Sequence, residues 1–274
     1  MASNANFNRV LRGAILRQLR AANTYDAFVN RELVSGSFEE PEDTVRIETL
    51  GDVQLSDYNG TLPTPQDIET NRDTISASHK KAFAFKSEAD DSASQIADLF
   101  REEGVAALLQ AAQTFVLSQY TGADLQVTYD PSSDNVRDKI AEAAVKLDNA
   151  EAPAGAENRW LTVPPRVSED IDDDVIDESP TGLADELIRN RFVGTYKGFR
   201  LYKAPVNQFT NTGSSPSYDH AMAGINQSIA YEDAVLNVRR VPSTDFSGDQ
   251  IDGLHVAGAQ VIRSGATIDF RVKA

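Results

Sequence analysis

Apolar positions recur at helical spacing in some stretches of the chain and alternate at strand spacing in others. Near the N terminus Phe7, Val10, Leu11, Ala14, Ile15 and Leu19 form one stripe, with Arg9, Arg12, Arg17 and Arg20 largely off it, which predicts an amphipathic helix. From Ser92 to about Tyr120 the residues Ile96, Leu99, Phe100, Leu108, Leu109, Ala112, Phe115 and Val116 repeat at three- and four-residue intervals, the longest helical signal. Ser92 or Ser94 is placed to cap it and Asp98 lies early in it. Gly104 inside it costs about 1 kcal/mol relative to alanine and offers a place for a bend or a close contact. Further helices are predicted from Asp134 to about Asn149 and, shorter, from Gly182 to Arg191.

Between Thr44 and Phe85 the pattern changes to VRIETL, VQLSDY and KKAFAF, separated by Gly51, Gly60, Pro63 and Pro65, as strands and turns require. A long two-stranded excursion fits these residues. Because an isolated hairpin is marginal in water, it calls for a neighbouring subunit to lie on. RWLTVPP reads as a compact apolar strand stopped by its prolines, with Trp160 as core. The segments FVGTYKGFRLYKAPV and HAMAGINQSIAYED read as strands flanking the loop Thr210 to Ser217, and alternation resumes from Asp252 to Val272. Helices and strands are unsegregated and nothing repeats at 20 to 50 residues, so the class is α+β, one compact body with projecting arms.

Charge changes the picture next. Acidic residues outnumber basic ones by 42 to 26, a net charge of −16, with Asp favoured among the acids and Arg among the bases. Such a surface suits molar salt, where the Debye length falls to about 3 Å, and it should contain DNA rather than grip phosphate. An ordinary acidic protein kept soluble by its charge is the plainer alternative. The arginines of the first helix are the one basic island, fit for acidic neighbouring subunits or DNA, or else a solvated face.

The 274 residues hold no cysteine, which excludes disulfides and thiolate metal sites. No apolar run approaches the ~20 residues of a membrane span, and Met1 to Ala22 lacks the apolar centre of a secretory signal, so a soluble protein with no membrane contact is expected. His79, His220 and His255 lie in separate segments without metal-hydrolase spacing, and no phosphate loop, dinucleotide fingerprint or nucleophile elbow is present. The run EDIDDDVIDE, with Asp170, Asp172, Asp173 and Asp174, offers oxygen ligands for a bridging divalent cation but lacks the glycine and spacing of a calcium loop; a solvated acidic surface is the simpler account. No catalytic residues, enzyme activity or cofactor is implied. An acidic hydrolase would need convergent carboxylates that the sequence does not display.

Several stretches, read in order, resemble landmarks of tailed-virus major capsid proteins of the Hong Kong ninety-seven fold, in the coat-protein branch of the short-tailed Salmonella phage type. They are AFVNRELVSG (Ala27 to Gly36), DTVRIETLGDVQLSDYNG (Asp43 to Gly60), KKAFAFKSEADDSAS (Lys80 to Ser94) and ENRWLTVPP (Glu157 to Pro165), the most specific of them. VGTYKGFRLYKAPVNQF (Val193 to Phe209) and HAMAGINQSIAYEDAV (His220 to Val235) complete the set. Glu42 replaces the family's usual glycine before Asp43, and Leu201 precedes Tyr202 where the family often has valine.

The resemblance implies an N-terminal arm over residues 1–42, an extended loop over 43–86, and a peripheral domain with a spine helix over 87–130. An axial domain over 131–235 and a C-terminal return to the peripheral domain over 236–274 would follow. In it KKAFAF is the return strand of the loop, the RWLTVPP strand is followed by a helix and variable loops, an acidic one after Pro165 among them, and Asp57 and Tyr58 join the four arginines as candidate subunit contacts. The implied role is self-assembly into hexamers and pentamers of an icosahedral head around double-stranded DNA, in the virion of a virus assembled in the host cytoplasm. Acidity points to a haloarchaeal tailed virus. Partners would be portal and scaffolding proteins, the latter a separate chain if there is one, with a decoration protein as a further candidate; assembly would be non-covalent. Alternatives are an encapsulin-like compartment shell, or a tube or decoration protein of the virion.

Overall fold

The computed structural model describes residues 12–13, 15–16, 25, 28–50, 70–87, 107–178, 192–226, 228–242 and 249–274, and among them fourteen strands form three sheets. The central sheet runs β6 (Leu125–Tyr129), β14 (Thr267–Lys273), β11 (Tyr218–Ile225), β7 (Arg159–Val163), β9 (Phe199–Lys203), β8 (Phe192–Tyr196). β10 (Thr210–Thr212) occupies the length of β11 that β7 leaves free. All five residues of β7 are buried, and the Trp160 indole donates to the Ile225 carbonyl at 3.0 Å, which satisfies its one polar atom inside the core.

Two helices follow from local chemistry. α2 (Val136–Asn149) starts where the Asn135 side chain accepts from the Arg137 N–H, and it buries Val136, Ile140, Ala143 and Leu147 at the expected spacing. α1 denotes the helical residues 107–117, with Ala112, Val116 and Leu117 in the core. The helix that the resemblance implies after the RWLTVPP strand is α3 (Pro165–Glu178), and it takes up the acidic stretch read as a loop after Pro165. Proline at the first helical position has its φ already set and no N–H to lose, while Val167 and Ile171, one turn apart, seat the helix on the core. Between β8 and β9 the chain reverses through Lys197 and Gly198, at φ 47° and 81°, a two-residue turn whose twist matches its strands.

A second sheet has the order β1 (Val29–Asn30), β12 (Ile229–Pro242), β13 (Asp249–Val261), β5 (His79–Ser87), and a third is β2 (Val34–Ser35), β3 (Thr44–Leu50), β4 (Thr70–Ser76). The excursion therefore returns along β4, Leu50 facing Thr70 and Thr44 facing Ser76, and not along KKAFAF, which is β5 and pairs with β13 from Asp249 to Ala257. TNRDTIS offers a single buried aliphatic, Ile75, so no alternation announced it. The boundary read at 235 falls inside β12, and the last strand, β14, lies in the central sheet beside β11.

Among the described residues no helix is long and apolar enough to cross a membrane. Of the first predicted helix, Arg12, Gly13, Ile15 and Leu16 are described, all helical, with Ile15 buried and Arg12 exposed as the stripe requires. VQLSDY, residues 92–106 of the long helical signal and Gly182 to Arg191 lie outside the described residues.

Candidate assembly surfaces

The V-N-R stretch is fastened to the second sheet. β1 pairs in parallel with β12, Val29 opposite Ile229, while Phe28 turns the other way to pack on Trp160 with ring centroids 4.6 Å apart. The Asn30 side chain accepts the N–H groups of Glu32 and Leu33, a local turn that aims Arg31 back at the sheet. Arg31 Nη1 lies 2.5 Å from Asp233 Oδ1 and 3.8 Å from Glu232 Oε2, and its guanidinium sits 4.6 Å over the Tyr231 ring. Tyr231 meets Tyr25 edge-on, hydroxyl to hydroxyl at 3.2 Å.

This junction holds buried charge. Burial acts to raise the Asp233 carboxyl, but the His255 hydrogen bond and the Arg31 charge outweigh it and hold the group at about 2. Burial, Tyr25 and Asp233 all push the Tyr231 hydroxyl well above its ordinary range. His79 stacks on Phe115 of α1 at 4.8 Å and lies 6.5 Å from the His255 ring. Burial, then the neighbouring His255 and Lys81, lower His79 to about 4. The Nε2 of His79 and the Nδ1 of His255 are buried without a hydrogen-bond partner among the described residues.

The base of the excursion is not bare. Val45, Ile47 and Ile75 are buried with Phe38, Ala230, Ala234, Leu236 and Val256, so the described part of the hairpin rests on its own β12 and β13. Gly258 is where they cross: a Cβ there would come within 2.7 Å of the Ser76 carbonyl oxygen and 2.9 Å of the Phe38 ring. At the other side of the same sheet β5 is an edge strand, with Lys80, Lys81, Ala82, Ala84 and Lys86 exposed. Lys80 pairs with Glu42 at 3.4 Å, and three lysines along this edge resist pairing with a like strand. A groove of about 690 Å³ opens beside it, between β5, β13 and the bulge of β12 at Asn237.

Among the described residues, the sequence candidates Arg12 and Asp170 lie in separate elements. Arg9, Arg17, Arg20, Asp57 and Tyr58 lie outside the described residues, and Arg12 is exposed. Asp170 accepts the Tyr129 hydroxyl at 2.6 Å, and burial together with that bond pushes the Tyr129 hydroxyl upward. Asp172, Asp173 and Asp174 lie within α3, where the backbone alone is described. No group of three His, Asp or Glu side chains among the described residues is placed to hold a metal ion. Sequence reading missed Asp233, His255 and Tyr231 because their partner, Arg31, lies about 200 residues earlier and no local pattern joins them.

Strand order and helices together make a fold found in chains of phage particles. The chain is similar to a chain of Mycobacterium phage Che8, at 21% identity, 90% coverage of each chain and a TM-score of 0.64. It is also similar to a chain from the capsid of Ralstonia phage GP4, at 9% identity, 92% and 88% coverage and a TM-score of 0.60. A virus-like particle chain from Pyrococcus furiosus matches at 10% identity, 95% and 97% coverage and a TM-score of 0.52. No family model and no curated protein matches the sequence.

Proposed function

We propose that the chain is the major capsid protein of a tailed virus, with the arm, extended loop, spine helix and peripheral and axial domains of the Hong Kong ninety-seven fold. In this reading it is a structural protein of the virion and not an enzyme. The observation that carries it is the length of the match: chains from phage particles superpose on about nine-tenths of this one, with about nine-tenths of their own length used. The surfaces fit the role. The lysine edge of β5 resists pairing with a like strand, while the net charge favours containing double-stranded DNA over binding it. Hexamers and pentamers closing an icosahedral head, assembly in the host cytoplasm, non-covalent contacts and portal, scaffolding and decoration partners complete the reading. Acidity adds a haloarchaeal host and cation bridges near Asp170, Asp172, Asp173 and Asp174.

Electron microscopy of the purified protein in molar salt and after dilution tests it. Closed icosahedral shells that open on dilution are the expected result, since screening then weakens from about 3 Å to 10 Å or more. Salt-indifferent shells would remove the halophilic part alone, and small oligomers or tubes in both conditions would overturn the whole. A second reading, a cellular compartment shell, is favoured by the likeness to the Pyrococcus furiosus particle; protein cargo in place of DNA in shells from the native source would select it.

A further inference from the structure

Three polar side chains line up on one face of the central sheet, and neither the shell reading nor the core uses them. In the β-ladder Thr212 faces Tyr218 and Asp269 faces Met222, so each is the diagonal neighbour of His220, one on either side. The consequence is a continuous relay. His220 Nδ1 lies 2.8 Å from Asp269 Oδ1, and His220 Nε2 lies 2.6 Å from Thr212 Oγ1. The Arg271 Nε donates to the other Asp269 oxygen at 2.7 Å, which fixes the carboxylate, and the Tyr120 ring stacks on the imidazole at 4.0 Å.

A carboxylate accepts and does not donate, so the proton of the neutral imidazole sits on Nδ1 and Nε2 is left to accept the Thr212 hydroxyl. His220 and Asp269 are 3% and 4% exposed, whereas Thr212 is open to solvent. The following residue, Gly213, at φ 86°, adds no side chain over the hydroxyl. A buried acid and base behind the hydroxyl of an exposed residue is the order of parts that activates a nucleophile.

We propose that Thr212 is a base-activated acyl acceptor, with His220 as general base and Asp269 as the positioning residue, reacting once with an activated ester or thioester. Thr212 Oγ1 bonds to the acyl carbon as its proton passes to His220 Nε2. The bond from that carbon to the leaving oxygen or sulfur breaks, and the leaving group takes the proton from His220. The product is an O-acyl threonine, with no change of oxidation state.

The test uses the full chain and 4-nitrophenyl acetate, with release of nitrophenol followed by absorbance and the modified residue located by peptide mass spectrometry. One acetyl group on Thr212 is expected. T212V removes it, T212S retains it, and H220Q slows it by about 100-fold or more, the usual weight of a general base. D269N slows acetylation and D269E restores part of the rate, a pattern that simple loosening of the sheet does not give; circular dichroism checks that each variant is folded. Acetyl groups on lysines with Thr212 unmodified, or a Thr212 rate that H220Q leaves unchanged in a folded protein, overturns the proposal and leaves the shell reading untouched.

Discussion

The surroundings of β7 and of the start of β12 are both largely buried and differently made. Around β7 the core is Trp160, Leu161, Val163, Phe199, Leu201 and Met222, with Thr162 bonded to the Met222 carbonyl at 2.9 Å. Around the start of β12 the space is filled by Arg31, Asp233, His255, Tyr25 and Tyr231, joined by ion pairs, ring edges and hydroxyls. An apolar core tolerates repacking but not voids, because what it loses is area and contact. A buried polar junction tolerates neither partner being removed, because what remains is an uncompensated charge, yet removal of both can be nearly neutral.

The comparison can be broken at either end. Trp160→Ala should have the largest effect, about 3 to 5 kcal/mol by urea denaturation followed by circular dichroism, since it opens the centre of the larger core. A loss below 1 kcal/mol would show that the two regions do not differ as described. Asp233→Ala should cost about 3 kcal/mol, while the paired change Arg31→Met with Asp233→Leu should recover most of it. If the double variant is as unstable as the single one, the junction is held by packing and not by charge.

The smallest effect is one of pH. His79 has its folded value lowered from 6.5 to about 4, so the unfolded chain binds the proton first and stability falls as pH drops through that window. Asp233 is lowered from 3.8 to about 2, and its contribution, complete above 3.8, is lost only below that value. Thermal melts from pH 7 to pH 2 should therefore show a gradual decline followed by a second one. His79→Phe, which keeps a ring against Phe115, should flatten the first and spare the second.

Where burial follows local period, the sequence was readable. The α2 helix is legible in Val136, Ile140, Ala143 and Leu147, and the β8–β9 hairpin in apolar runs around Lys197 and Gly198. Where burial is set by distant partners, it was not. β4 has Ile75 as its one buried aliphatic, so its strand identity comes from pairing with β3. The apolar period of α3 was hidden by its acids, since the few apolar residues that seat it, Val167 and Ile171, stand among carboxylates that read as a loop. The Thr212, His220 and Asp269 relay was invisible for the same reason: its members belong to three strands, and only the sheet register makes them neighbours.

The parallel contact of Val29 with Ile229 also sets a clock. A ribosome adding about 5 to 20 residues per second needs roughly 10 to 40 s to travel from one of these positions to the other. Through that interval the V-N-R stretch has no β12 to lie on and Arg31 has no Asp233. The β1 stretch is thus among the last parts of the newborn chain to be fastened, and a molecule still on the ribosome cannot yet present the surface of a finished one.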